Sequence, residues 1–182
     1  MIETPPGKRP VMALAGPYGH PLHPAMVTLP IGAWAASLTF DVSSRVVGDP
    51  TFLVQGSRWL IAIGVLTALA AALVGFLDLF AIPAGTRAYR VALIHMALNL
   101  LVVMSYVVNF LLRGDTAGPG GVGGWYIAAS AVTFAVLGVS GFLGGELAYR
   151  YGVRVADEDS QASGFESRPV GPGLEEHQKA ER

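Results

Sequence analysis

The chain has 182 residues, of which 52% are hydrophobic and 14% charged, a balance too apolar for an ordinary soluble domain and one that makes the bilayer its natural solvent. With 12 basic against 13 acidic residues the formal charge is -1, so there is no broad basic field to hold nucleic acid. Lacking cysteine altogether, it can form no disulfide, thiolate metal centre, iron–sulfur cluster of its own or covalently attached c-type haem.

Four uninterrupted apolar stretches follow one another, from Pro24 to Phe40, Trp59 to Phe80, Val91 to Leu112 and Trp125 to Leu147. Each approaches the roughly 20 residues a helix needs to cross hydrocarbon. The fold class is therefore all-α, a bundle of four transmembrane helices. In the first stretch Pro30 removes a backbone hydrogen bond, which predicts a kinked and tightly packed helix. Lys8 and Arg9 precede it and small residues occur at Ala33, Ala35 and Ala36. The Pro-rich leader and strongly apolar continuation nevertheless fit a retained helix better than a cleaved signal. Trp34, Trp59 and Trp125 all lie on spans, the last two at the start of theirs, and read as markers of the bilayer boundary rather than of a binding site.

The short linkers set the orientation. Lys8, Arg9, Arg87, Arg90, Arg150 and Arg154 fall on the side of the N-terminus, while Arg45, Arg58 and Arg113 fall on the other. By the positive-inside rule both termini are expected on the cytoplasmic side of the membrane. The Gly-rich stretch from Asp115 to Gly124 reads as a flexible external loop, and no Lys-Ser or Lys-Thr follows its glycines to make a phosphate cradle. Three parts result: a leader over 1–17, a four-helix transmembrane domain over 18–155, and an acidic tail over 156–182 whose composition predicts disorder. His177 sits alone in that tail. No internal repeat stands out that would argue for a transporter with inverted halves.

Ionisable groups within spans are costly and face the bundle interior, so they are the first candidates for function. The first span opens with Gly19-His20-Pro21-Leu22-His23-Pro24, the second ends in Gly75-Phe76-Leu77-Asp78, the third carries His95 and Asn99, and the fourth ends in Gly141-Phe142-Leu143-Gly144-Gly145-Glu146. Successive spans run antiparallel, so His20, His23, Asp78, His95, Asn99 and Glu146 share one end of the bundle. Helical spacing supports inward faces: His23, Val27, Pro30, Trp34, Ser37 and Asp41 form one stripe, and Gly64, Ala68, Ala71, Gly75 and Asp78 another. Gly141 and Gly145 add a small-xxx-small pair on the fourth span.

These groups have several readings. In the plainest, the histidines cap helix ends, Asp78 and Glu146 pair with Arg87 or Arg150, and Asn99 bonds a neighbouring helix. In another, His95 opposite His23 or His20 supplies the axial ligands of a b-type haem. A divalent metal on His20, His23 and His95 with Asp78 or Glu146 is chemically sound, although no HExxH or other known ligand spacing occurs. A proton or ion relay would have to continue through Ser105, Tyr106 and Asn109. Nucleophilic catalysis finds no GxSxG elbow, and Ser37, Ser130 and Ser140 read as helix-packing hydroxyls, so the chain is not expected to be an enzyme by itself.

The same motifs, together with Leu29-Pro30-Ile31, Asp41, Ile82-Pro83 and Gly141 to Gly152, resemble a bacterial membrane-protein family, domain of unknown function 2231. The likeness covers about residues 18 to 155. It implies a four-helix membrane domain with no assigned activity in an electron-transfer setting, since relatives accompany or are fused to Rieske iron–sulfur domains. This chain lacks Rieske ligands, so its expected partners are the lipid bilayer, a separate Rieske-type protein and, in a homo-oligomer, further copies of itself. Many relatives carry a histidine where this sequence has Tyr151, so a ligand from the fourth helix is not implied here. The alternative is a cofactor-free scaffold in which the same polar groups fix helix register.

Overall fold

The structure, a computed structural model, describes residues 7–113 and 121–165. Its elements are α1 Leu22–Met26, α2 Thr28–Ser43, α3 Thr51–Leu79, α4 Arg87–Arg113, α5 Gly124–Gly145, a π-helical turn Glu146–Arg150 and the short α6 Glu158–Ala162. Among the described residues four segments are long and apolar enough to cross a membrane: Leu22–Ser43, Thr51–Leu79, Arg87–Arg113 and Gly124–Arg150. Each packs on the next, and α5 returns to α2 to close a four-membered ring. The first and third spans are thereby diagonal and parallel, and they meet through side chains rather than backbone.

The spans are longer than the apolar stretches suggest. The second begins at Thr51, because Pro50 sets the turn and Asp49 accepts a hydrogen bond from the Thr51 amide at 3.0 Å. Trp59 therefore lies about two turns inside this helix rather than at its start. Trp125 does open α5 and is 77% exposed, as an interfacial indole should be. Trp34 departs from the boundary role altogether. It is 1% exposed and lies in a core with Ile61, Val102, Val103 and Tyr106.

Proline accounts for the break in the first span. Pro30 has no N–H to offer the Met26 carbonyl, and the helix is interrupted at Val27 between α1 and α2. Across from this bent span, α3 presents small residues. A Cβ at Gly64 would collide with the Trp34 indole, and one at Gly75 would lie 2.7 Å from His23 Nδ1, so the Gly64–Gly75 stripe lets the first two spans approach. On α5 the expected small pair is not the contact. A Cβ at Gly141 would meet nothing within 4 Å, whereas one at Gly144 would lie 3.0 Å from His95 Cε1. Apolar side chains such as Leu66, Leu69, Leu73 and Leu100 point outward, which is the inside-out pattern a lipid solvent permits.

Beyond the fourth span, the start of the tail is structured. Asp157 accepts from the Ser160 amide at 2.8 Å and caps α6. The remainder of the tail from 166, including His177, and loop residues 115–120 lie outside the described residues.

Candidate functional site

Three contacts span the diagonal between the first and third spans, one above another. His23 and His95 face each other with ring centroids 6.3 Å apart and planes at 88°. Trp34 and Tyr106 stack at 4.3 Å and 11°. Asp41 and Arg113 form a bidentate ion pair at 2.6 and 2.7 Å. The two parallel helices place these residues in identical register, since His23, Trp34 and Asp41 are spaced as His95, Tyr106 and Arg113 are. At about 1.5 Å per residue the outer rungs are separated by some 27 Å, close to the thickness of the hydrocarbon core.

The flanking contacts repeat in the same way. His23 Nδ1 bonds the Ala71 carbonyl at 2.9 Å, four residues before Gly75; His95 Nδ1 bonds the Ser140 carbonyl at 2.8 Å, four residues before Gly144. Lower down, Ser37 Oγ lies 2.9 Å from Ser57 Oγ, and Asn109 Nδ2 donates to Ser130 Oγ at 3.0 Å. The hairpin α2–α3 and the hairpin α4–α5 thus make matching contacts, as two halves related by a two-fold axis along the bundle would. The halves are parallel, not inverted, and their kinship lies in side-chain positions rather than in residue identity.

The upper rung has the chemistry of a ligand pair. A carbonyl can only accept, so each Nδ1 donates its proton there, and in a neutral ring the lone pair then lies on Nε2. Such second-sphere bonds to the non-ligating nitrogen are what orient imidazoles toward a metal centre. Asn99 Nδ2 stands 3.1 Å from His95 Nε2 and 3.0 Å from the His95 carbonyl, so ligation at His95 requires that amide to turn aside. Ser140 Oγ donates to the His95 carbonyl at 3.2 Å. These are the residues suited to hold a cofactor.

The remaining sequence candidates are distributed around this pair. His20 is exposed, its Nδ1 3.4 Å from the Tyr18 carbonyl, and does not join it. Asp78 lies within electrostatic reach of His23 but contacts neither Arg87 nor Arg150. Its partner is Arg154, whose Nε is 2.7 Å from Oδ1, because the chain turns back over the bundle end after the fourth span. Glu146 receives Arg150 Nη1 at 3.0 Å and the Tyr151 hydroxyl at 3.1 Å. The π-helical turn brings these three together, with the Tyr151 amide reaching the Glu146 carbonyl. Among the described residues no group of three His, Cys, Asp or Glu is placed to hold a metal ion.

The lower rung was not legible as a site. Asp41 and Arg113 are 0% and 4% exposed in their side chains. Every part of the pair is satisfied: Ser57 Oγ donates to Asp41, Arg113 Nε donates to Asn109 Oδ1 at 3.0 Å, and Arg113 Nη1 donates to Ser57 Oγ at 2.7 Å. Counting Arg113 as a linker charge hid it. The matching spacing on two parallel spans was the signal that would have paired it with Asp41.

The fold and its buried polar rungs define a four-span integral membrane protein. The chain belongs to the family described as predicted membrane protein (DUF2231), whose model matches residues 19–157. No curated protein and no solved structure matches it.

Proposed function

We propose that this protein is the membrane-embedded subunit of an electron-transfer assembly, with His23 and His95 as the ligand pair of a b-type haem. The observation that carries the reading is the upper rung: two imidazoles from diagonal spans, each held by Nδ1 on a carbonyl, with Nε2 of His95 met by the Asn99 amide that ligation would displace. Two imidazoles could complete the coordination of a b-type haem iron, whereas a structural or catalytic divalent site draws three or four ligands from the protein. The donor count therefore favours haem over a bare metal. A haem would supply one-electron chemistry; the chain supplies the neutral tautomers and their orientation.

Six basic residues on the side of the N-terminus against three on the other favour a cytoplasmic histidine end and cytoplasmic termini. The electron partner is then a separate protein, of Rieske type on the resemblance described above. A reporter fused after Arg182 should be active in the cytoplasm; periplasmic activity would reverse the orientation.

A visible spectrum of the detergent-purified protein, oxidised and dithionite-reduced, with elemental analysis of the same sample, tests the haem. Sharp reduced bands that vanish in His95→Ala and His23→Ala but persist in His20→Ala support it. A second reading, a cofactor-free scaffold, is favoured by one observation: Asp78 and Glu146 are already closed on Arg154 and on Arg150 with Tyr151. A colourless, iron-free sample prepared without cofactor loss selects that reading.

A further inference from the structure

The end of the bundle that holds the histidines is crossed by the leader. It is pinned to the turn that follows the fourth span by a set of polar contacts. The Arg154 amide donates to the Gly7 carbonyl at 2.8 Å, Arg154 Nη2 donates to the Ala15 and Gly16 carbonyls at 2.8 and 2.9 Å, and Lys8 Nζ donates to the Ala156 carbonyl at 3.3 Å. Tyr18 Oη donates to Asp157 Oδ2 at 2.7 Å and accepts from the Asp157 amide at 2.8 Å. Arg154 connects this clasp to the interior, because its guanidinium also meets Asp78, which lies within reach of His23.

Three features mark the clasp as a device with an open state rather than a fixed cap. Arg154 adopts φ +61, a left-handed conformation that side chains with a Cβ rarely take. Its Nη1 is buried without a hydrogen-bond partner among the described residues, so the closed arrangement leaves a donor unused. The described leader is built from one short 3-10 turn, Ala13–Ala15, whose one buried apolar anchor is Ala15. The bonds that hold it are buried or half-buried, but a segment with so few apolar contacts opens at lower free energy than the packed helices beside it.

We propose that residues 7–20 form a strap that opens and closes over the histidine end, with Arg154 and the Tyr18–Asp157 pair as its latch, and so controls access to His23 and His95. This rests on the reading that the upper rung is the functional end, but its test does not require a bound cofactor. Before opening, Arg154 bridges leader and Asp78; on opening, the leader carbonyls and Tyr18 are released to water while the four spans stay packed.

The test is modification of the full-length protein in detergent by diethyl pyrocarbonate, followed residue by residue by mass spectrometry. Wild-type protein treated in parallel is the reference. Tyr18→Phe and Asp157→Asn touch no spanning helix and should fold. They should raise the modification rates of His23 and His95 at least about fivefold over wild type, as loss of charge-assisted hydrogen bonds implies. Arg154→Gln should raise them further. Rates at His23 and His95 that match wild type in both latch variants would overturn the strap. A colourless wild type with a working latch would instead remove the haem and leave the strap standing.

Discussion

The two ends of this bundle handle buried charge in different ways. At the lower end Asp41 and Arg113 are fully enclosed and every polar atom of the pair is matched within the four helices. At the upper end the charges of Asp78 and Arg154 meet as an ion pair across a joint between the bundle and its termini, and neither Nε nor Nη1 of Arg154 has a hydrogen-bond partner among the described residues. A closed network in low dielectric fixes one arrangement, because any partial opening strands a charge. A joint that includes a strained residue and a short leader tolerates two. The lower rung thus holds the register of the first and third spans, and the upper rung is where something can change.

The largest expected effect breaks the lower rung. Arg113→Ala leaves Asp41 charged and unpaired in the interior and should cost about 3–5 kcal/mol of stability, read by denaturant titration of the detergent-solubilised protein. Replacing both residues by leucine should recover most of that loss, since an apolar pair strands nothing. Asp78→Asn at the upper end should cost less, about 1–3 kcal/mol, because Arg154 keeps its leader carbonyls. An equal cost at both ends would erase the distinction between lock and joint.

Why was one end so much easier to read than the other? Hydrophobic length set the four spans, and the inward stripes at His23 to Asp41 and Gly64 to Asp78 follow from helical periodicity. Span ends were misjudged where local chemistry extends a helix past its apolar stretch, as at Pro50 and Thr51. Asp41 lay on the correct stripe, but Arg113 was counted as a linker charge, so the pair was missed. Arg154 was unreadable as the partner of Asp78, since that contact depends on a left-handed turn after the fourth span. Gly144 was overlooked because Gly141 and Gly145 fit a familiar lipid-interface pattern, while the close approach is to an imidazole ring. Contacts made along a helix follow its period; contacts made where the chain turns back do not.

A smaller effect separates core glycines from lipid-facing ones. Gly64→Val would drive a side chain into the Trp34 indole and should cost about 1–3 kcal/mol through displacement of the Trp34–Tyr106 stack. Gly141→Val, with open space before it, should be close to neutral. The change in Trp fluorescence on Gly64→Val, absent for Gly141→Val, would report the middle rung directly. Equal behaviour of the two variants would remove the Gly64–Trp34 contact as the reason the first two spans can approach.

The smallest effect concerns the latch, and it has a sign. The Tyr18 hydroxyl, together with the Ser160 amide, holds the Asp157 carboxyl down to about 2, below its ordinary 3.8. A depressed carboxylate contributes to the closed state fully above its ordinary value, and that contribution fades as pH falls from about 3.8 toward about 2. The strap should therefore stay latched throughout the physiological range and loosen in acid. Hydrogen exchange of the Asp157 and Ser160 amides, corrected for intrinsic rates, should lose protection across that window while amides in the spans keep theirs. Asp157→Asn should abolish the pH step, because the amide cannot titrate. If the step persisted in that variant, another group would govern the latch, and the contrast between a sealed lower end and a titratable upper joint would have to rest on Arg154 alone.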